Sequence, residues 1–299
     1  MDRPRSVLMT LVVGAAIGCS LARQTAIPTV ESHRSTFTSA VGSREYLVAR
    51  PTAALTTGRR SMLVVLHGCV QTADDIARGS RLSDAAARDG FVALYPEQPA
   101  AAHPQRCWNW FVPGQTTRGQ GEVALLAELI DSVARREGVD PQRIGLVGMS
   151  AGAAMAANLA VAYPGRYAAL AMHSGIAAGA ATDVASALRV MGQGAADGDA
   201  LGDAALAAMG PRARSIPVIV LHGAADRVVS PANVRATVAQ WTRVNARAPG
   251  GGAPVEQHVF DGVGHAWSGG SAAGSYTAPQ GPDATSLIIA FFRTAGLLR

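Results

Sequence analysis

The chain has 299 residues, with 26 basic against 21 acidic for a formal charge of +5, 16% charged and 5% aromatic residues, and three cysteines. This length suits one large α/β domain or two small ones, and the apolar content is enough for a buried core. No basic block or recognition helix is evident, so the small positive excess argues against a nucleic-acid-binding protein.

In chain order, the first segment reads as a targeting signal. Arg3 and Arg5 precede an apolar run from 7 to 17 that is too short to span a bilayer as a stable helix. Two processing sites compete. Ser20-Leu21-Ala22 has the small-x-small form of a signal-peptidase site, giving a signal over 1–22. Ala16-Ile17-Gly18-Cys19 has the form of a lipoprotein box, in which the signal ends at 18 and Cys19 carries a lipid anchor. Either way the protein is expected to be secreted or periplasmic, with no integral membrane span. Residues 23–40, rich in Ser and Thr, are expected to form a flexible tether, leaving 41–299 as a single folded domain.

Strand-like runs then alternate with helical stretches, the pattern of an α/β fold with a mostly parallel central sheet flanked by helices. An edge strand is predicted over 44–49 and a central strand, buried on both faces, over 61–66. A helix over 76–89, a strand over 91–95 and a long loop over 96–121 follow. Leu125, Leu129 and Val133 recur at helical spacing and predict a helix over 122–137. Later strands are expected over 167–172, 216–221 and 255–260, and helices over 231–240 and 283–297. Residues 177–214, almost wholly Ala, Gly, Asp and Arg, read as short helices outside the sheet. Their small side chains predict a shallow cleft rather than a deep pocket.

Residues 143–152 carry the most chemistry. A short buried strand leads into Gly148-Met149-Ser150-Ala151-Gly152 and then an Ala-rich helix start, the context of a nucleophile elbow. A sharp strand-to-helix turn strains the serine backbone and requires tiny neighbours, here Gly148 and Gly152. The following helix aims its N–H groups at the oxygen that becomes negative in acyl transfer. The pentapeptide alone also fits an ordinary strand–helix turn; the flanking strand and helix favour the elbow.

An acyl-transfer serine needs a histidine base and a carboxylate to orient it. In α/β-hydrolase order both follow the serine, on loops after late strands. Asp226 lies just past the 216–221 strand and His265 just past the 255–260 strand, so Ser150, Asp226 and His265 form the expected triad. Asp226 as a mere turn residue is the competing reading. Asp261 is a rival carboxylate but sits too near His265 in sequence to face it. His67, His173 and His222, at strand ends, read as structural histidines, and His258, within a strand, as structural or exposed. Two backbone N–H groups, of Cys69 and Ala151, are expected to form the oxyanion hole, with Gly68 permitting the turn. Cys69 and Cys107 are expected to pair as a disulfide in an exported protein, against a reading as two buried thiols. No Cys/His cluster has metal-ligand spacing and no Gly-rich loop fits a phosphate, so neither metal nor cofactor is expected. Trp108, Trp110 and Trp267 lie near the proposed loops. They read either as an apolar substrate-binding platform or as wedges fixing loops to the core.

The segments His67-Gly68-Cys69-Val70-Gln71-Thr72-Ala73-Asp74-Asp75, Tyr95-Pro96-Glu97-Gln98, Arg106-Cys107-Trp108-Asn109-Trp110-Phe111, Gly148-Met149-Ser150-Ala151-Gly152 and Gly264-His265-Ala266-Trp267-Ser268-Gly269-Gly270, in this order, resemble the polyhydroxybutyrate depolymerase / feruloyl esterase family. The resemblance runs from about residue 40 to the C-terminus. It implies an extracellular serine esterase on an α/β-hydrolase fold, with Ser150, Asp226 and His265 as the triad. The family's Gly-Gly after the serine is Gly152-Ala153 here, a change that touches helix packing more than chemistry. No appended substrate-binding domain or Thr-rich linker is seen, which argues against efficient attack on crystalline polymer.

The first expected substrate is a short-chain polyhydroxyalkanoate, poly(3-hydroxybutyrate) or its oligomers. A feruloyl or acetyl ester of plant cell-wall xylan is the alternative, and an aromatic polyester the third. A peptidase on this fold would want an anionic anchor for a peptide amino terminus, which the sequence lacks. A non-enzymatic binding module would need a broken triad, and acyl transfer to an acceptor other than water stays open. The protein is expected to act as a monomer.

Overall fold

The computed structural model describes residues 1, 29–53 and 58–299. The expected targeting segment and the Cys19 lipid site lie outside these residues. An eight-stranded sheet runs in the order β1-β2-β4-β3-β5-β6-β7-β8. Its strands are β1 (Val30–Ser39), β2 (Gly42–Pro51), β3 (Arg60–Leu66), β4 (Val92–Pro96), β5 (Val139–Met149), β6 (Ala169–His173), β7 (Val218–Gly223) and β8 (Val255–Phe260). β1 and β2 are antiparallel to their neighbours, and the pairs from β4 through β8 are parallel. The α/β fold with a mostly parallel sheet is therefore as the sequence predicts.

Two expectations at the N-terminal side are corrected. Residues 30–39 are not tether but the edge strand β1, paired along its length with β2 from Val30–Pro51 to Ser39–Gly42. Thr36, Phe37 and Thr38 favour extended backbone, and the strand alternates between exposed and half-covered positions, with Phe37 packed on the core. The 44–49 strand is consequently internal, lying between β1 and β4.

Helices cover both faces of the sheet. On one side lie α1 (Ala73–Ser80), α2 (Leu82–Asp89) and α9 (Ala284–Thr294). The single helix expected over 76–89 breaks because Arg81 adopts a left-handed φ of 60° between α1 and α2. On the other side lie α4 (Gly121–Arg136), α5 (Ala151–Ala162) and α8 (Ala232–Arg247), with the short α3 (Pro113–Thr116) leading into α4. Every residue of α5 is buried, which explains why its sequence is apolar all round. The helix expected over 231–240 extends seven residues further, burying Trp241 and Val244.

The 177–214 insertion folds as α6 (Val184–Gln193) and α7 (Gly198–Met209). An Asp183–Ser186 capping box starts α6. α7 approaches α8 so closely that a Cβ at Gly198 or Gly202 would overlap Ala236 or Arg243. Two short parallel strands, β9 (Trp267–Ser268) and β10 (Thr277–Ala278), close the loop before α9. Among the described residues no helix is long and apolar enough to cross a membrane.

Candidate active site

Ser150, Asp226, His265 and the 67–69 loop all emerge from the C-terminal ends of parallel strands, where α/β sheets place their ligands. Ser150 joins β5 to α5 with φ 55° and ψ −122°, a conformation that costs a non-glycine residue on the order of 1–3 kcal/mol. It persists because its surroundings allow no other. A Cβ at Gly148 would collide with the Gly152 carbonyl, and one at Gly152 with the carbonyl oxygens of Leu66 and His67. The Ser150 N–H donates to the His173 carbonyl at 2.9 Å, pinning the turn to β6.

The three residues expected as a triad are brought together. Ser150 Oγ lies 2.9 Å from His265 Nε2, and His265 Nδ1 lies 2.7 Å from Asp226 Oδ2. Asp226 Oδ1 accepts the N–H groups of Val228 and Val229, each at 2.9 Å. His222 Nε2 donates to the Val229 carbonyl at 2.9 Å and stands 3.4 Å from Asp226 Oδ2. Burial opposes a charge on Asp226, yet the adjacent His222, the hydrogen bond from His265 and that from the Val229 amide outweigh it and hold the carboxyl below the usual carboxylate range. Asp226 is thus an anion held by three hydrogen bonds, from Val228, Val229 and His265, and able to hold the His265 ring in one tautomer. Asp261 is exposed on the turn after β8.

The loop after β3 is also held from several sides. Cys69 and Cys107 are joined in a disulfide. The Gly68 N–H donates to Gln71 Oε1 at 2.9 Å and the Val70 N–H to the Gln105 carbonyl at 2.7 Å, leaving the Cys69 N–H between them with no acceptor among the described residues. Ala151 is the first residue of α5, so its N–H has no acceptor within the helix. Cys69 lines the cleft beside Ser150, and Ala151 follows Ser150 directly at the start of α5.

The buried His67 underpins this loop. Its Nδ1–H donates to the Gly68 carbonyl at 2.8 Å and its Nε2 accepts the Gln98 N–H at 3.0 Å. Burial lowers its pKa to about 4, so the ring is neutral. Gln98 also donates to the Cys107 carbonyl and to Glu122, and Glu122 accepts the Asn109 N–H at 2.9 Å. The sequence reading placed Gln98 within a family segment without giving it a role, and Glu122 only at the start of a helix. The available signal was a glutamine and a glutamate on either side of the Cys-Trp-Asn-Trp segment, each next to an apolar run.

Two of the three tryptophans are not where a substrate platform needs them. Trp108 and Trp267 are fully buried. Trp108 Nε1 donates to the His67 carbonyl at 3.0 Å, and Trp267 stacks on His173 while its indole N–H donates to Thr285 at 3.0 Å. Burial also lowers the His173 pKa, to about 3. Both indoles wedge loops against the core because each needs an acceptor as well as apolar surface. Only Trp110, edge-on to Phe111, lines the cleft.

That cleft has a volume of about 400 Å³ and is mostly apolar. The expectation that the 177–214 insertion offers no bulky side chains is corrected: Val184, Leu188 and Met191 of α6 line it. Gln71, placed by the sequence only within a family segment, and Tyr276, not singled out in the sequence, also line it, as does His265.

A family model described as Esterase PHB depolymerase matches residues 44–263. Poly(3-hydroxyalkanoate) depolymerase C of Paucimonas lemoignei is 35% identical over 186 residues, covering 60% of this chain and 44% of that protein. Feruloyl esterase B of Thermothelomyces thermophilus is 30% identical over 194 residues, covering 61% of this chain and 65% of that protein. The chain thus matches about half to two thirds of the length of these curated relatives. Among solved structures, an acetyl xylan esterase from Aspergillus awamori superposes with a TM-score of 0.67 at 20% identity, over 78% of this chain and 94% of that one, a likeness of fold. The family model spans most of the sequence, including Cys69, Cys107, Ser150 and Asp226, and the chain belongs to the esterase PHB depolymerase family.

Proposed function

We propose that the protein is an exported serine esterase that cleaves carboxylic esters through an acyl-enzyme. The observation that carries this reading is the continuous Ser150–His265–Asp226 hydrogen-bonded array opening into an apolar cleft that Cys69 also lines. His265 Nε2 takes the proton from Ser150 Oγ as the oxygen attacks the ester carbonyl. The resulting oxyanion is held by the N–H groups of Cys69 and Ala151. His265 then passes its proton to the leaving alkoxide, and a water molecule, deprotonated by the same ring, releases the acid. Removing one oxyanion donor from such a site typically costs about a hundred- to a thousandfold in rate. The Cys69–Cys107 bridge fixes a donor that belongs to the backbone. Export is supported by the N-terminal Arg3/Arg5 and apolar run, and by the disulfide, which persists in oxidising compartments.

The favoured substrate is a short-chain polyhydroxyalkanoate or its oligomers, supported by the family and by an apolar cleft open to solvent. The Trp110–Phe111 pair in the cleft favours a second reading, an aromatic acyl ester such as a feruloyl group. Purified protein assayed against hydroxybutyrate trimer, methyl ferulate, acetylated xylan and an aminoacyl anilide tests the proposal. Cleavage of the trimer above the other esters supports the first reading and cleavage of ferulate the second. Cleavage of the anilide alone refutes both.

A further inference from the structure

We propose that Tyr276 determines specificity at this site: its ring forms the wall against which the leaving alcohol seats, so the protein selects esters by their alcohol half. This rests on the serine esterase reading above. Tyr276 holds φ 51°, a left-handed conformation that bulky side chains rarely adopt and that glycine takes without strain. The fold holds it there from both sides. Its carbonyl accepts the Trp267 N–H at 2.7 Å, and the next residue, Thr277, pairs with Trp267 in the β9–β10 ladder. The preceding Ser275 gives its N–H to Asp75 at 2.9 Å and its hydroxyl to the same carboxylate, while its carbonyl accepts Gln71 Nε2 at 3.0 Å. Gly274 lies against Gly79 of α1.

What this anchoring presents is a ring 45% exposed at the cleft, 6.4 Å from the His265 ring and nearly perpendicular to it at 76°. Tyr276 belongs to neither hydrophobic core cluster and borders the cleft instead. The direction of the chemistry gives it a use. The substrate carbonyl oxygen points toward the Cys69 and Ala151 amides, and the alkoxide departs with the proton from His265 Nε2. The alcohol half therefore leaves on the His265 side, where Tyr276 stands. An apolar chain or ring on the alcohol, such as the hydroxyl-bearing end of a hydroxyalkanoate oligomer, packs on the tyrosine face. Methanol offers nothing to pack.

The test uses the full chain and two ester series, one varying only the alcohol (methyl, butyl and benzyl butyrate) and one only the acid (methyl acetate, butyrate and benzoate). Tyr276→Gly removes the ring at a backbone conformation that suits glycine, and Tyr276→Phe keeps it. The wild-type protein should prefer benzyl over methyl butyrate by about tenfold or more in kcat/KM. Tyr276→Gly should flatten that preference, chiefly through KM, and leave the acid series in its wild-type order, while Tyr276→Phe should retain it. A wild-type protein indifferent to the alcohol overturns the proposal. So does a Tyr276→Gly variant that scales every ester equally or reorders the acid series. Failure of the wild-type protein to cleave any of these esters overturns the esterase reading itself, a distinct outcome.

Discussion

Asp226 Oδ2 lies 2.7 Å from His265 Nδ1 although 39 residues separate them, because β7 and β8 pair in parallel and deliver both following loops to one edge of the sheet. The carboxylate's other oxygen is occupied by two backbone amides, so its orientation is fixed before the histidine arrives. Replacing Asp226 by Asn should present an amide that favours the wrong imidazole tautomer. Turnover of p-nitrophenyl butyrate by Asp226→Asn is expected to fall about ten-thousandfold, with little change for Asp261→Asn. Steady-state kinetics on the two variants checks the ranking.

The tryptophans separate into supports and lining. Trp267→Ala is expected to lose about 3–5 kcal/mol of stability, as for other fully buried aromatics, and denaturant unfolding reads that loss. Trp110→Ala, at the cleft, should instead raise KM for an aromatic or oligomeric ester more than for acetate. The reverse pattern would put Trp267 in contact with substrate.

The Cys69–Cys107 bridge closes a sequence separation of 38 residues, worth about 4 kcal/mol on the chain-entropy model. For a domain of this size, reduction should lower Tm by roughly 5–10 °C. It should also lower kcat for ester cleavage at temperatures where the fold persists, because the Cys69 amide loses one of its anchors. Thermal scans and kinetics with and without reductant measure both effects.

Buried neutral histidines set the acid limit of stability. His67 and His173 have folded pKa values of about 4 and about 3, below the ordinary histidine value of about 6.5. Between those limits the unfolded chain binds more protons than the folded one, so stability falls as pH drops below about 6.5. The loss continues to about pH 4 for His67 and about pH 3 for His173, on the order of a few kcal/mol each. Asp226, held below the usual carboxylate range, adds a loss of the same sign at lower pH. Denaturant midpoints should therefore fall steadily from pH 7 to pH 4. A midpoint unchanged across that range would contradict the assigned neutral rings.

Most of the sheet was legible because a parallel strand buried on both faces announces itself as a continuous apolar run, as in Leu63-Val64-Val65-Leu66. The elbow was legible because its sterics demand glycine at 148 and 152. β1 was not, because a half-exposed edge strand rich in Ser and Thr has the composition of a tether. Nor was the break at Arg81, where a left-handed residue other than glycine leaves no mark in the sequence. The grouping of Ser150, Asp226 and His265 was expected from motif and chain order, whereas Tyr276, Gln98 and the α6 side chains reach the candidate site only through tertiary packing. Trp108 and Trp267 show the converse: lying near a site in sequence does not decide whether a large ring faces substrate or core.

The most direct test of the account is the identity of the nucleophile. The purified chain treated with a fluorophosphonate should take up one label, mapped by peptide mass spectrometry to Ser150. Ester cleavage should be lost in proportion to labelling, and a folded Ser150→Ala variant should be unlabelled and inactive. Label on a different residue, or ester cleavage that persists with Ser150 fully modified, would contradict the acyl-enzyme mechanism at its first step.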